Sequence, residues 1–326
     1  GDLVRGPALS IDAAVLQMAN WKRAIEPQAH WLPVYTTMGN HDTVLREFTG
    51  EGGRGSVRID RFPFETESSE AVFAREMVNP ENGPASEDGS AWDPDPASID
   101  FPSYRRNVYW YQHDNVAMVV LNSDYWYAPS VNATPQSGGN LHGYLMDNQM
   151  AWLATTLAAL ERDAGVDHVF LTTHTPMFPN GGHVGDAMYY RGSNEPRPTI
   201  AGKPVTKGII DRRDELITLI QQHPKVLAIL TGDEHNYNRM RVDATVPLYP
   251  EGWDKPRVSV QRPFFQINNG AAGAPYYAQE ATPWSAVVKG FSTQHAICLF
   301  YVDGRSVRLE TVNPETLEVL DRVVLR

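Results

Sequence analysis

Apolar positions along this 326-residue chain follow two rhythms, and the points where one gives way to the other predict its elements. Helical spacing comes first, at Ile11, Ala14, Val15, Met18 and Ile25, with Ser10 as N-cap and Pro27 as the stop. An apolar run rich in β-branched and aromatic residues, 31–38, then halts at Gly39, which predicts a buried strand running into a loop. Two further runs, 104–112 and 116–122, meet at His113-Asp114-Asn115, and the second is apolar enough for the interior of a sheet. After that, helix and strand alternate. A helix from Asp147, with Met150, Leu153, Leu157 and Leu160 on one face, ends near Gly165. The strand 166–173 follows, then a helix over 211–222 with Leu216, Leu219 and Ile220 inward, then the strand 225–231. The end of the chain, 286–326, is β-rich: 294–302, 306–312 and 317–325, linked by Asp303-Gly304 and Asn313-Pro314, read as an antiparallel ribbon.

Strands separated by helices at this spacing predict a parallel or mixed sheet with helices outside it. Residues 50–102 break the rhythm. They are rich in Gly, Pro, Ser and acidic residues and read as a surface insertion, a lid or rim, with one short helix over 69–77. The segment 132–143 reads as another polar loop. No internal repeat or linker is visible, so the expectation is one domain over 1–326. Composition narrows the class: 42% apolar and 21% charged residues mark a globular chain. With 28 basic against 39 acidic side chains the formal charge is −11, which argues against nucleic-acid binding. Cys298 is the one cysteine, which excludes a disulfide framework and a thiolate zinc site. No run reaches the ~18–20 apolar residues of a membrane span.

In sheets of this type ligands gather at the carboxyl ends of strands. Asn40 and His41 follow the first predicted strand, His174 follows 166–173, and Asp233 and His235 follow 225–231. Each alone reads as a polar turn; the coincidence is what points to chemistry. Carboxylates, an amide oxygen and imidazoles form a hard-to-borderline metal set. Two divalent ions ~3.5–4 Å apart can hold a phosphate and generate a hydroxide nucleophile. His41 would then sit beside the leaving oxygen as general acid or charge stabiliser, with Asp42 orienting it.

The ordered set Gly1-Asp2, Gly39-Asn40-His41-Asp42, His174-Thr175-Pro176 and Gly232-Asp233-Glu234-His235 resembles the calcineurin-like metallophosphoesterases, the purple acid phosphatase branch included. The hairpin from Asn107-Val108 to Asp124, and the strand running from Gln266 into glycines, fit the same pattern. The resemblance implies a four-layer α/β/β/α sandwich of two stacked mixed sheets flanked by helices. It implies Asp2 as bridging carboxylate, Asn40, His174 and Asp233 on one ion, His235 on the other, and His41 with Asp42 as the catalytic pair. The cofactors would be two ions among Mn, Fe, Mg and Zn, and the substrate a small phosphomonoester or diester. His183, Arg191 and Tyr237, near these motifs, are candidates for substrate contacts, each also readable as an ordinary loop or strand-end residue.

Three positions depart from the family pattern. The family opens with an Asp-x-His strand ahead of Gly-Asp, and the one Asp-x-His here, Asp233-Glu234-His235, sits in the last motif. The expectation is that about two strands and two ligands lie outside this chain. Asp233 replaces the first histidine of Gly-His-x-His and favours a harder ion than Zn²⁺. Arg5 stands where the purple branch has tyrosine. Export to a secreted or periplasmic location is the expectation from the branch and from the acidic, aromatic-rich loops. A non-catalytic relative, using the fold as a binding module, is the second reading.

Overall fold

A computed structural model of the chain describes residues 1–45, 47–48, 56–57, 62–90, 101–126, 142–196, 199–200 and 203–326. Parts of the 50–102 segment and nearly all of the polar loop 132–143 lie outside the described residues. The chain begins with helix α1 (Ile11–Ala29), strands β1 (Glu47–Phe48) and β2 (Ser56–Val57), and helices α2 (Phe64–Glu67) and α3 (Ser69–Glu76). Strands β3 (Tyr109–His113) and β4 (Val116–Val120), helix α4 (Asp147–Arg162) and strand β5 (His168–Thr172) come next. Strands β6 (Thr199–Ile200) and β7 (Lys203–Pro204), helix α5 (Ile209–Gln222) and strands β8 (Val226–Thr231), β9 (Tyr237–Val242) and β10 (Phe264–Asn269) follow. Four strands close the chain: β11 (Lys289–Ser292), β12 (Ile297–Asp303), β13 (Ser306–Val312) and β14 (Val319–Val324). These residues form two compact units. The first is Gly1–Trp110, Val120–Leu153 and Glu195–Gly208; the second is Tyr111–Val119, Ala154–Asn194 and Ile209–Arg326.

In the first unit, Ser10 caps α1 as its sequence predicts, its Oγ accepting from the Ala13 amide at 3.2 Å. The helix runs two residues past Pro27 before it stops. Its inner face, Ala14 and Met18, packs with Val72 and Phe73 of α3 and with Met38, Val44 and Met77. The short helix expected over 69–77 thus forms, and its inner face packs against α1. The strand expected over 31–38 is absent. Trp31 and Leu32 are 80% and 62% exposed. Thr36 gives its amide to Asn79 Oδ1, and its carbonyl accepts from Asn79 Nδ2 and the Tyr109 hydroxyl. Extended backbone must satisfy its polar groups somewhere, and here side chains replace a ladder.

The larger sheet is seven-stranded and mixed, in the order β11-β9-β10-β8-β5-β4-β3. β10, β8 and β5 run parallel, whereas β9 is antiparallel to β10 and β11 to β9. The C-terminal ribbon forms as expected, a three-stranded antiparallel sheet β12-β13-β14. Its Val307 and Leu309 share one apolar core with Phe170, Ala228, Phe265 and Ile267 of the larger sheet, so the two sheets stack. Phe170 meets Phe300 of β12 edge-on at 5.2 Å. Helix α5 buries Leu216, Ile217 and Ile220. The result is the stacked-sheet α/β fold that the family resemblance implies.

Candidate metal centre

Parallel pairing decides what happens at the ends of β5 and β8. Thr172 lies opposite Leu230, so the residues that follow each strand leave the sheet at the same edge. The Thr173 amide donates to the Leu230 carbonyl at 3.1 Å, and the amides of Gly232 and Asp233 both donate to the His174 carbonyl at 3.0 and 3.1 Å. These bonds fasten the two ends together. His174 Nε2 thereby lies 3.2 Å from Asp233 Oδ1, with both side chains buried. His183 brings its Nε2 to 3.5 Å from the same oxygen, while its Nδ1 is 3.1 Å from Asp186 Oδ1. Ligands ~2.1 Å from a shared ion stand roughly 3.0–3.4 Å apart in octahedral or tetrahedral geometry. The spacing of His174 from Asp233 and the nitrogen-and-oxygen chemistry of the pair therefore fit a divalent metal. His235, expected on a second ion, donates from Nδ1 to the Pro275 carbonyl at 2.6 Å, which sets the orientation of its ring. Its ring stacks on Tyr277 with centroids 4.3 Å apart.

The loop carrying His183 is held by a residue that the sequence analysis passed over. Glu234, between Asp233 and His235, is fully buried. Its Oε1 accepts from the amides of Asn180 and Gly181, both at 2.6 Å, and its Oε2 from Asn180 at 2.8 Å. Burial pushes its carboxyl up to about 8, against the pull of those amides. The next amide, Gly182, donates to Glu280 Oε1 at 2.9 Å. Below the loop, Gln266 pairs with both backbone groups of Phe178, and Asn268 Nδ2 donates to the carbonyls of Glu234 and Asn236. The one sequence signal for this framework is the polar pair Gln266 and Asn268 alternating inside the apolar run of β10. Just beyond it, a Cβ on Gly270 would lie 2.1 Å from the Gly232 carbonyl oxygen and 2.2 Å from that of Glu234, so only glycine passes there.

The first unit assembles the other motifs. Asp2, at φ 56°, accepts the His41 amide on Oδ1 at 2.9 Å. Asn40 lies in the same turn, its carbonyl accepting from Thr43 Oγ1 at 2.9 Å. Asp42 accepts backbone amides on both oxygens, from Leu3 and from Gly39, each at 2.9 Å. At His41 Nδ1 the orienting partner is the Arg5 carbonyl, at 2.7 Å, rather than a carboxylate. Nδ1 must then carry the proton, and Nε2 of the neutral ring is the acceptor. Asp42 thus acts on the backbone, pinning residues 1–6 to the loop, and the role expected for it against the imidazole falls to a carbonyl. A second carboxylate–imidazole pair, which the sequence did not suggest, joins Asp124 Oδ1 to His142 Nδ1 at 2.6 Å. Asp124 lies just after Asn122, whose Nδ2 reaches Met38 at the root of the Gly39–Asp42 turn.

One candidate is reassigned. Tyr237 does not line a site; it is fully buried in the core between the two sheets, its hydroxyl donating to Asp321 Oδ2 at 2.8 Å. Strand alternation carries it to the face opposite solvent. Arg191 sits on the loop beyond His183, largely exposed.

No family description matches the chain, and no curated protein does. Solved structures do. The purple acid phosphatase PPD1 from yellow lupin (Lupinus luteus) seeds is similar with a TM-score of 0.55 at 16% identity, over 95% of this chain and 43% of that one. PhoD is similar with a TM-score of 0.49 at 10% identity, over 98% of this chain and 57% of that one. GAP50, the anchor in the inner membrane complex of Plasmodium, gives 0.40 at 11%, over 71% and 58%. The chain thus spans less than half the length of the lupin enzyme. The fold is of the purple acid phosphatase type. Among the described residues, no helix is long and apolar enough to cross a membrane.

Proposed function

We propose that this chain carries the metal-binding and catalytic side chains of a metal-dependent phosphoesterase acting on a small mono- or diester. The observation that carries the reading is the buried meeting of His174 with Asp233 at the ends of two adjacent parallel strands, with His183 on the same carboxylate oxygen. By the family resemblance, Asp2, Asn40, His174, Asp233 and His235 would be the ligands to two ions. Bound there, the ions would polarise the phosphoryl group and acidify a water. His183 would donate a hydrogen bond to a phosphate oxygen. His41, its ring fixed by the Arg5 carbonyl at Nδ1, would protonate the leaving oxygen from Nε2 as the imidazolium, in which both ring nitrogens are donors. Asp42 would keep His41 and Asp2 in register through the backbone. Export from the cytoplasm belongs to the same proposal and rests on the resemblance.

The test pairs elemental analysis with turnover of p-nitrophenyl phosphate in the presence of Mn²⁺. His174→Ala is expected to lower the metal content of the purified protein. His41→Ala is expected to keep it and to cut turnover about 10²–10³-fold. Wild-type turnover in His41→Ala would remove its assigned role. Absence of bound metal from the wild-type chain would favour the non-catalytic reading.

A further inference from the structure

Next to the His183 loop the backbone adopts a costly shape. Tyr190 and Arg191 both lie in the left-handed region, at φ 46° and 52°, and Gly192 follows at 87°. Left-handed backbone costs a non-glycine residue about 1–2 kcal/mol, and two in succession persist only where surrounding contacts impose them. Here the Arg191 amide donates to the Val184 carbonyl at 2.8 Å and the Gly192 amide to Tyr189 at 2.9 Å. Asn194 Oδ1 then accepts the first amides of α5, from Ile210 and Asp211. The Tyr189 ring packs edge-on against the buried Trp284, with centroids 4.6 Å apart. What this anchored strain achieves is the placement of one side chain. Arg191, 68% exposed, is carried back alongside Gly185, two residues past His183.

Its guanidinium meets Glu280 Oε2 at 3.3 Å, while Oε1 of the same carboxylate accepts the Gly182 amide. An exposed, single-contact ion pair of this kind contributes little, ~0–1 kcal/mol. A guanidinium offered a phosphate or carboxylate in bidentate geometry gains more. Glu280 also has a second task, holding the turn before His183, and it can perform that task without Arg191. The pair is therefore easily exchanged, with its cation alongside Gly185 on the loop that carries His183 and its anion retained by the Gly182 amide. We propose that Arg191 is a specificity residue that leaves Glu280 to bind a second anionic group of the substrate, so that the site prefers phosphoesters bearing a further carboxylate or phosphate. This rests on the phosphoesterase reading above.

A matched pair of ligands tests it: glycerol 1-phosphate and 3-phosphoglycerate, which differ in the added carboxylate. Dissociation constants come from calorimetry on the Mn²⁺-loaded protein, and KM values from phosphate release. The wild type should bind 3-phosphoglycerate about tenfold more tightly, the gain expected of one charge-assisted contact. Arg191→Ala should bring the ratio close to one, and Arg191→Lys should restore part of it. Glu280→Gln keeps an acceptor for the Gly182 amide and removes the competing charge, so it should widen the ratio. A wild-type ratio near one, or a wild-type ratio retained in Arg191→Ala, would overturn the assignment. If bis- and monoanionic ligands bind but neither is hydrolysed, the phosphoesterase reading fails while the binding ratio still decides the role of Arg191. A further anionic ligand, inorganic pyrophosphate, distinguishes a phosphate preference from a carboxylate one.

Discussion

A carboxyl group deprived of water holds its proton, and Glu70 shows this far from the metal motifs in sequence. It is fully buried on α3, accepting the Trp126 amide on Oε1, and burial raises its pKa to about 7. In the unfolded chain the group titrates near 4.5. Between those two values the native state binds a proton that the unfolded state lacks, so its stability falls as pH rises through that window. Glu70→Gln keeps the acceptor and removes the charge. At pH 8 it should raise the free energy of unfolding by on the order of 1–3 kcal/mol, with little effect at pH 4. Urea melts at the two pH values decide the matter; equal effects at both would mean that the carboxyl is ionised throughout. At this scale the sequence was uneven as a guide. It singled out His41, His174, Asp233 and His235 because each follows a run whose residues read as a strand. It had no means of showing that Asp42 binds amides of Leu3 and Gly39, since a carboxylate beside a histidine reads the same whichever way it turns.

Elements were far more legible than contacts. α1, α4, α5, β5 and β8 lie within a few residues of the spans that apolar periodicity predicts, because each has a face long enough to repeat its pattern. The run 31–38 misleads for a physical reason: its residues favour extended backbone, but a strand also needs a neighbour in register. Gly270 shows how one element positions another. At the end of β10 it passes against the carbonyls of Gly232 and Glu234, where no Cβ fits. Gly270→Ala must push apart the backbone that bears Asp233 and His235. The expected cost is about 2–4 kcal/mol of stability, together with reduced bound metal. A variant with wild-type melting temperature and metal content would show that this crossing adapts freely.

For the whole molecule, the proposed ligands after β5 and β8 would couple metal binding to folding. An ion held only by the native chain stabilises it by about 2.7 kcal/mol at a hundred times its Kd. Scanning calorimetry should therefore show a melting temperature that rises with Mn²⁺ concentration and falls in EDTA, and His174→Ala should flatten the dependence. Melting that is indifferent to Mn²⁺ in the wild type would mean that the buried His174–Asp233 pair is a fold contact alone. The acidic surface, with a net charge of −11, will attract cations without specificity, so the comparison with His174→Ala is what isolates the site.

The sequence by itself determined most of the succession of elements and the placing of His174, Asp233 and His235 just beyond strands. Both follow from short-range patterns: periodicity, caps, and the residue types at element ends. Tertiary structure decided which side chains meet. It joined His183 to the carboxylate that His174 shares, turned Glu234 away from its neighbours to clamp three amide contacts of the loop, and buried Tyr237 between sheets. It paired Asp124 with His142 across a loop and spent backbone strain on presenting Arg191. Such meetings depend on the paths of loops and on the register of distant strands, which no local pattern encodes.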